Sequence, residues 1–383
     1  MKIKLLLLSA ALVSLSSVDV QAGTLCISNC TGGAVGGTIG GGGSISGGGG
    51  SISGGGTGGS ISGGGPNIPV SSASSGTLVS VSEQNSAQLT SVNLLMSSSL
   101  NSVLSGSHHR TLLDNGVTQE GTGFWATGDV ARHDTNSSNI AIGEIGIYQD
   151  VMPGLRLGVS GGVNQNRQVM PLGGSGKSDA NYLVIEGDYQ LPDSDMSESA
   201  TLYMGSNLAT ISRGYLAGLT QSLSTGQTSG SSWALRLRSD WHNITTIGGL
   251  EASPYVSYTH GESRLNGYAE TGGVNPVVYG VQQQNSNELR AGVTLLSKLS
   301  EQTDLRFPIE LAHRTNSSNA VTAIGTGTQY SFSNAGLNQS WGRAGIELDQ
   351  HLNKQTLLNG ALLVAGRGGD SSWLGTVSMK HAF

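Results

Sequence analysis

Three short stretches carry residue types that could do chemistry. PLGGSGKS at 171–178 has the glycines, lysine and serine of a phosphate-cradling loop, but that loop needs glycine where Pro171 stands and a helix after the lysine. No helical pattern follows; the segment falls between two predicted strands. GGDSS at 368–372 resembles a serine-hydrolase turn, yet it lacks the strand-turn-helix context and a placed histidine partner. His108 and His109 are adjacent, so their side chains diverge on a helix, and no acidic cluster is near in sequence to complete a metal site. They read as solvated polar residues where a helix meets the first strand. Cys26 and Cys30 in CISNC are the only two cysteines; a metal reading lacks a second pair, and a small disulfide ring in an oxidising compartment is the favoured one. None of these assigns a catalytic residue, a cofactor or a metal, and the expectation is a protein that is not an enzyme.

The surrounding composition sets the frame. MKIKLLLLSAALVSLSSVDVQAG places two lysines before a short apolar run and ends in a small-residue pattern at Ala22, a secretory signal peptide over 1–22. The run is too short to span a bilayer comfortably, and no later stretch is long and apolar enough for a membrane helix. Of the 383 residues only 11% are charged and 60 are glycine; the 19 basic residues form no run and the net charge is -6, which makes nucleic acid a poor candidate partner. From 23 to 82 there is no charge, and the SIS triplets at 44, 51 and 60 recur irregularly. Glycine loses the most backbone entropy on ordering, so 23–77 reads as a disordered passenger or tether reaching about 40 Å.

From 78 the pattern becomes helical. Leu89, Val92, Met96, Leu100 and Val103 step by three and four, one narrow apolar stripe among Ser, Asn, Thr and Gln, with Glu83 the sole charge and Gly106 as a stop. Over 78–104 such a helix would be about 40 Å long but far too polar to face lipid. On pattern alone it is a weak surface helix.

From Gly121 the period is two. SSWALRLRSDW sets Trp233, Leu235, Leu237 and Trp241 against Arg236, Arg238 and Asp240; LRFPIELAHR sets Leu305, Phe307, Ile309 and Leu311 against Arg306, Glu310 and Arg314. WGRAGIELDQ opposes Ala344, Ile346 and Leu348 to Arg343, Glu347 and Asp349, and the same alternation surrounds Arg156, Glu186 and Arg290. Twelve strands are predicted, starting near 122, 138, 154, 178, 198, 228, 248, 284, 302, 337, 355 and 371. Their connections alternate between short turns and long Gly/Ser/Asn-rich ones near 168–177, 214–227, 265–283 and 315–336. A soluble sandwich has no reason to sort loop length by side. A transmembrane barrel does, and its charged face lines a wet lumen, where opposite charges pair across strands and with Glu83 rather than act as catalytic acids.

The chain ends WLGTVSMKHAF, with Phe383, Met379 and Val377 on one face and His381 where an aromatic or apolar residue is usual; a terminal Phe on an alternating strand is similar to the signal by which outer-membrane barrels engage their assembly machinery. With GFWATGDVARHD at 123–134 resembling a first barrel strand and GLRLGVSGGVNQN at 154–166 a third, residues 78–383 resemble the type Va autotransporter. The resemblance implies an all-β, twelve-stranded antiparallel transmembrane barrel over 119–383, with the helix and linker of 78–118 in its lumen. It also implies export of 23–77 to the surface of a Gram-negative outer membrane. The partners it implies are outer-membrane lipid, the Sec translocon, periplasmic chaperones and the barrel-assembly machinery, for a monomer; a surface adhesin with a host or cell-surface ligand is the second reading. Some members cut themselves at an Asn pair in the helix; here Asn85, Asn93 and Asn101 stand singly, so the segment is expected to stay attached.

Overall fold

A computed structural model describes residues 38–39, 43–44, 92, 95, 98–114, 121–134, 137–316, 319–325, 328–334, 338–366 and 368–383. The signal peptide, Cys26, Cys30, Glu83 and most of the glycine-rich segment lie outside the described residues. Within that segment Thr38–Ile39 pairs antiparallel with Gly43–Ser44, a two-residue ladder where composition predicts no structure. Its β-branched Thr38 and Ile39 are the residues most suited to extended backbone there.

Twelve antiparallel strands make the barrel: β1 (Thr122–His133), β2 (Ser138–Met152), β3 (Leu155–Val169), β4 (Ser175–Gln190), β5 (Met196–Ala217), β6 (Thr220–Trp241), β7 (Leu250–Leu265), β8 (Gln282–Ser300), β9 (Thr303–Asn316), β10 (Asn338–His351), β11 (Thr356–Ala365) and β12 (Trp373–Ala382). Each pairs with the next, and β12 pairs with β1, from Trp373↔Arg132 to Ala382↔Gly123, so the sheet has no free edge. Closure satisfies the backbone within the sheet, which is what lets strands cross lipid. In β9 the ladder to β10 skips from Arg306↔Glu347 to Ile309↔Ala344 because Pro308 has no N–H to offer, and the register resumes unshifted.

Side chains alternate as period two demands. On β2, Ile145 is 71% exposed while Glu144 is buried; on β12, Val377 is 71% exposed while Ser378 is buried. The outward apolar band ends at Trp233, Tyr258 and Trp373 on the side of the long connections and at Phe124, Tyr189, Trp241, Phe307 and Phe383 on the other. From Trp233 to Trp241, or from Trp373 to Phe383, the strand advances roughly 20–25 Å along the barrel axis at a tilt of about 40°, the height of an outer-membrane apolar band.

Three predicted loops contain ordered strand instead. The connection expected at 214–227 is the far part of β5 and β6, 22 residues each, paired to Ala217↔Thr220 around Gly218 at φ 65°. A tilted crossing uses about 9–11 residues, so the rest of this hairpin stands clear of the membrane. The connections near 265–283 and 315–336 contribute Tyr268–Ala269, Val277–Tyr279, Asn319–Gly325 and Thr328–Asn334, a second four-stranded sheet. Between β3 and β4, Pro171–Gly173 forms a 3-10 turn and strand resumes at Ser175, so the glycine-serine-lysine stretch leads into a strand rather than a helix.

Candidate functional site

The helix, α1, is helical at 92, 95 and 98–105 and runs inside the barrel. Of its described side chains all but Asn101 are buried, so the single stripe read from sequence understates its contact. Leu100, Val103 and Leu104 pack in one cluster with Ala131, Ile140, Ile142, Tyr182, Val184, Tyr203, Ala234, Leu363 and Leu374, which line mid-lumen from seven strands. Val92 and Leu95 pack at the long-connection end with Met170, Ile211, Leu265, Tyr268 and Tyr279, so residues of the second sheet share a core with the start of the helix. The serines face wall groups: Ser99 Oγ lies 3.1 Å from Tyr203 Oη, and Ser98 Oγ accepts from Asn166. A Ser-rich helix is stable in this setting because its polar side chains have partners and its apolar ones have a matching belt.

The helix end explains the inward arginines of β6 and β10. A helix leaves its last carbonyls without intrahelical donors, at the negative end of its dipole. Arg236 donates to Leu104 O at 2.8 Å and His108 O at 2.6 Å, Arg343 to Ser105 O at 2.5 Å, and Arg238 to His109 O at 2.6 Å. Gly106 makes the tight exit possible. A Cβ there would meet Ser102 O at 2.4 Å and Asp129 Oδ2 at 2.7 Å, the carboxylate that accepts from Ser107 N. Gly106→Val is expected to weaken helix seating by about 1–3 kcal/mol, the usual cost of overpacking, and to speed amide exchange over 99–109. Exchange equal to wild type would show that the exit has room.

Beyond Gly106 the chain is gripped by charge. His108 Nε2 lies 2.8 and 2.9 Å from the Glu144 carboxylate and its Nδ1 3.7 Å from Glu186; His109 Nε2 lies 2.7 Å from Glu347. Glu144 also accepts from Trp125 Nε1 at 2.7 Å and Tyr182 Oη at 2.9 Å. Arg110 reaches Asp349 at 3.0 Å, Leu112 N and Leu113 N donate to Glu186 and Asp188, and Arg306 holds Asp114 at 3.1 Å. Arg156 pairs with Asp150 at 2.7 Å and donates to Leu112 O. The two histidines are thus buried and paired to opposite walls, not solvated; the carboxylates that hold them come from strands β2, β4 and β10, too distant in sequence to be seen beside them.

A second network lies on the β8–β10 wall. Arg290 contacts Glu310 at 2.5 Å, Glu288 at 2.5 Å and Asp370 at 2.6 Å; Arg343 reaches Glu310 at 2.6 Å, and Arg314 pairs with Glu288. Asp370 belongs to GGDSS: the connection between β11 and β12 folds inward, with Gly368 and Gly369 pressed against Trp341 and Arg314. Between this wall and α1 remains a cavity with about 20 Å³ for water centres, room for about one water. Among the described residues no group of three His, Cys, Asp or Glu is placed to hold a metal, and no helix is long and apolar enough to cross a membrane.

The ten charges singled out in the sequence, Arg156, Glu186, Arg236, Arg238, Asp240, Arg290, Arg306, Glu310, Arg343 and Glu347, all lie buried on inward faces. Val377, Met379 and Phe383 lie outward on or just past β12. Sequence reasoning missed Glu144, Asp129, Asp188, Glu288 and Asp370. The alternation around Glu144 in NIAIGEIGIY was available as a signal; for Asp370, in a glycine-rich connection, there was none.

The family model for the autotransporter beta-domain matches residues 116–362. The comparison with curated proteins gives no match. Among solved structures, the translocator domain of autotransporter NalP from Neisseria meningitidis aligns over 78% of this chain and 98% of its own at 13% identity, with a TM-score of 0.58. The β domain of the Bordetella autotransporter Brka aligns over 69% and 99% at 14% identity and a TM-score of 0.45. The transport unit of AIDA-I from Escherichia coli aligns over 78% and 99% at 13% identity and a TM-score of 0.40. With a closed twelve-stranded barrel, a helix in its lumen and a family match over more than half its length, the chain belongs to the autotransporter family, as an outer-membrane translocator domain of the type Va kind.

Proposed function

We propose that this barrel translocates its own N-terminal segment, residues 23–77, and displays it at the cell surface, with α1 left behind as a plug. The observation that carries this reading is the direction of the chain through the lumen. Val92 packs among residues of the long-connection end, whereas Leu112, Leu113 and Asp114 are held at the short-turn end by Glu186, Asp188 and Arg306. In a barrel whose long connections face outward, the polypeptide before Val92 leaves on the outside. A segment without charge or bulk suits passage through a lumen of this width. The reading is non-enzymatic. Its upstream partners are the Sec translocon and periplasmic chaperones, followed by the assembly machinery acting on Phe383, Met379 and Val377.

An epitope inserted near Gly50 should be detected on intact cells. A folded, heat-modifiable barrel with no surface signal would sink the export claim. The second reading, a surface adhesin, is favoured by the β5–β6 hairpin and the second sheet, an ordered structure that stands clear of the membrane. Deleting 23–65 separates the two binding sites: loss of cell adhesion assigns it to the tip, and unchanged adhesion to the ordered connections.

A further inference from the structure

On the outer face of the barrel, one row across four adjacent strands carries three basic residues and an asparagine. The register runs Arg132↔Asn139 between β1 and β2, Asn139↔Arg167 between β2 and β3, and Arg167↔Lys177 between β3 and β4. All four side chains point outward and are exposed, Arg132 at 45% and Lys177 at 47%. The row spans about 14 Å at the usual strand spacing.

Its height follows from the same register. Arg132 lies directly opposite Trp373, the band edge on β12. Followed onward through Lys177↔Thr210 and Thr210↔Gln227, the row reaches β6 six residues beyond the band-edge Trp233. The row therefore climbs away from the apolar band, by about 3 Å per strand at a tilt of about 40°. Arg132, Arg167 and Lys177 stand roughly 3, 9 and 12 Å beyond the edge of the apolar band, on the outer-leaflet side.

Two of the cations have local carboxylates: Arg132 pairs with Asp134 at 3.0 Å and Lys177 with Asp179 at 2.6 Å. Arg167 has no ion pair among the described residues and directly faces Lys177, an unfavourable cross-strand juxtaposition of like charges on an otherwise weakly charged surface. An anion between them removes that repulsion, and a phosphate offers oxygens to guanidinium and ammonium at once. We propose that this row binds the phosphate groups of an outer-leaflet phosphorylated glycolipid, with Arg167 as its centre. The proposal rests on the placement of the barrel in the outer membrane.

The test uses the full-length chain folded in detergent, titrated with diphosphoryl lipid A and read by native mass spectrometry, with the heat-modifiable gel shift reporting folding separately. Each surface cation is worth up to about fivefold in affinity for an anionic headgroup, so Arg132→Gln/Arg167→Gln/Lys177→Gln should lose about tenfold to 100-fold. The control Arg264→Gln/Lys298→Gln, cations elsewhere on the exposed surface, should stay within about threefold of wild type. Dephosphorylated lipid should bind wild type as weakly as diphosphoryl lipid binds the triple variant. The proposal is overturned if the folded triple variant binds like wild type, if the control loses as much, or if inorganic phosphate at the lipid's concentration displaces it, which assigns a free-ion site. Should the triple variant not fold, Arg167→Gln alone decides, with a loss of about threefold to fivefold expected and no loss contradicting the assignment.

Discussion

Deletion of residues 78–104 is expected to raise the single-channel conductance of the barrel in planar bilayers about tenfold or more, from a nearly closed state to an open one. A single α-helix with its side chains is about 10–12 Å across. In this lumen it touches wall residues of seven strands, and the cavity between it and the β8–β10 wall has room for about one water. A seated helix therefore occupies the centre of the path that ions would take. Removing it exposes Arg236, Arg238, Arg290 and Arg343 with Glu186 and Glu310 on the wall, a charged aqueous channel. Unchanged conductance would mean that the helix does not fill the pore.

The second large effect belongs to Glu144→Leu. The side chain changes little in size, but His108, Trp125 and Tyr182 lose their common acceptor in a buried site. Removing one partner of a buried, hydrogen-bonded pair costs about 3–5 kcal/mol, because the remaining charge and donors are left without partners. The loss falls on the seating of the 106–114 segment rather than on the strand ladder, which does not use the carboxylate. Amide exchange at 99–109 should accelerate by more than 100-fold while the barrel remains heat-modifiable. Glu144→Gln keeps an acceptor and should fall between. Wild-type exchange in Glu144→Leu would show that His109, Arg110 and the arginine caps hold the segment without His108.

The membrane part of this fold is legible because lipid and lumen impose opposite solvents on alternate residues. SSWALRLRSDW and WGRAGIELDQ declare their faces for that reason, and most strand starts lie within three residues of those predicted. Beyond the membrane the outer face of a strand meets water instead of lipid, so the apolar-polar contrast between the faces fades even where the inner face is buried. TQSLSTGQTSGSS in β6 has no apolar alternation, so the sequence signals that strand only from 228 although it begins at Thr220. The segments of the second sheet look like loops in the sequence for the same reason. The inverse failure occurs at mid-lumen. TLLNGALLVA of β11 is apolar on both faces because Leu363 packs on the helix side while Leu362 and Val364 face lipid.

The site was legible as a charge pattern but not as a mechanism of grip. Arg236, Arg238 and Arg343 are visible as inward residues. Their task, capping the carbonyls of Leu104, Ser105, His108 and His109, depends on the depth at which α1 stops, which no strand periodicity encodes. His108 and His109 look isolated in sequence because their partners lie 36 and 238 residues away.

The direction of the chain through the barrel is the central claim, and impermeant thiol labelling of intact cells tests it most directly. In a Cys26→Ser/Cys30→Ser background, three single variants are compared: Gly50→Cys in the segment proposed for export, Leu219→Cys at the hairpin tip, which is 78% exposed, and Lys354→Cys in a short turn. The account predicts that Gly50→Cys and Leu219→Cys are labelled on intact cells, and Lys354→Cys only after the outer membrane is permeabilised. Labelling of Lys354→Cys on intact cells, with Gly50→Cys protected until permeabilisation, would contradict it.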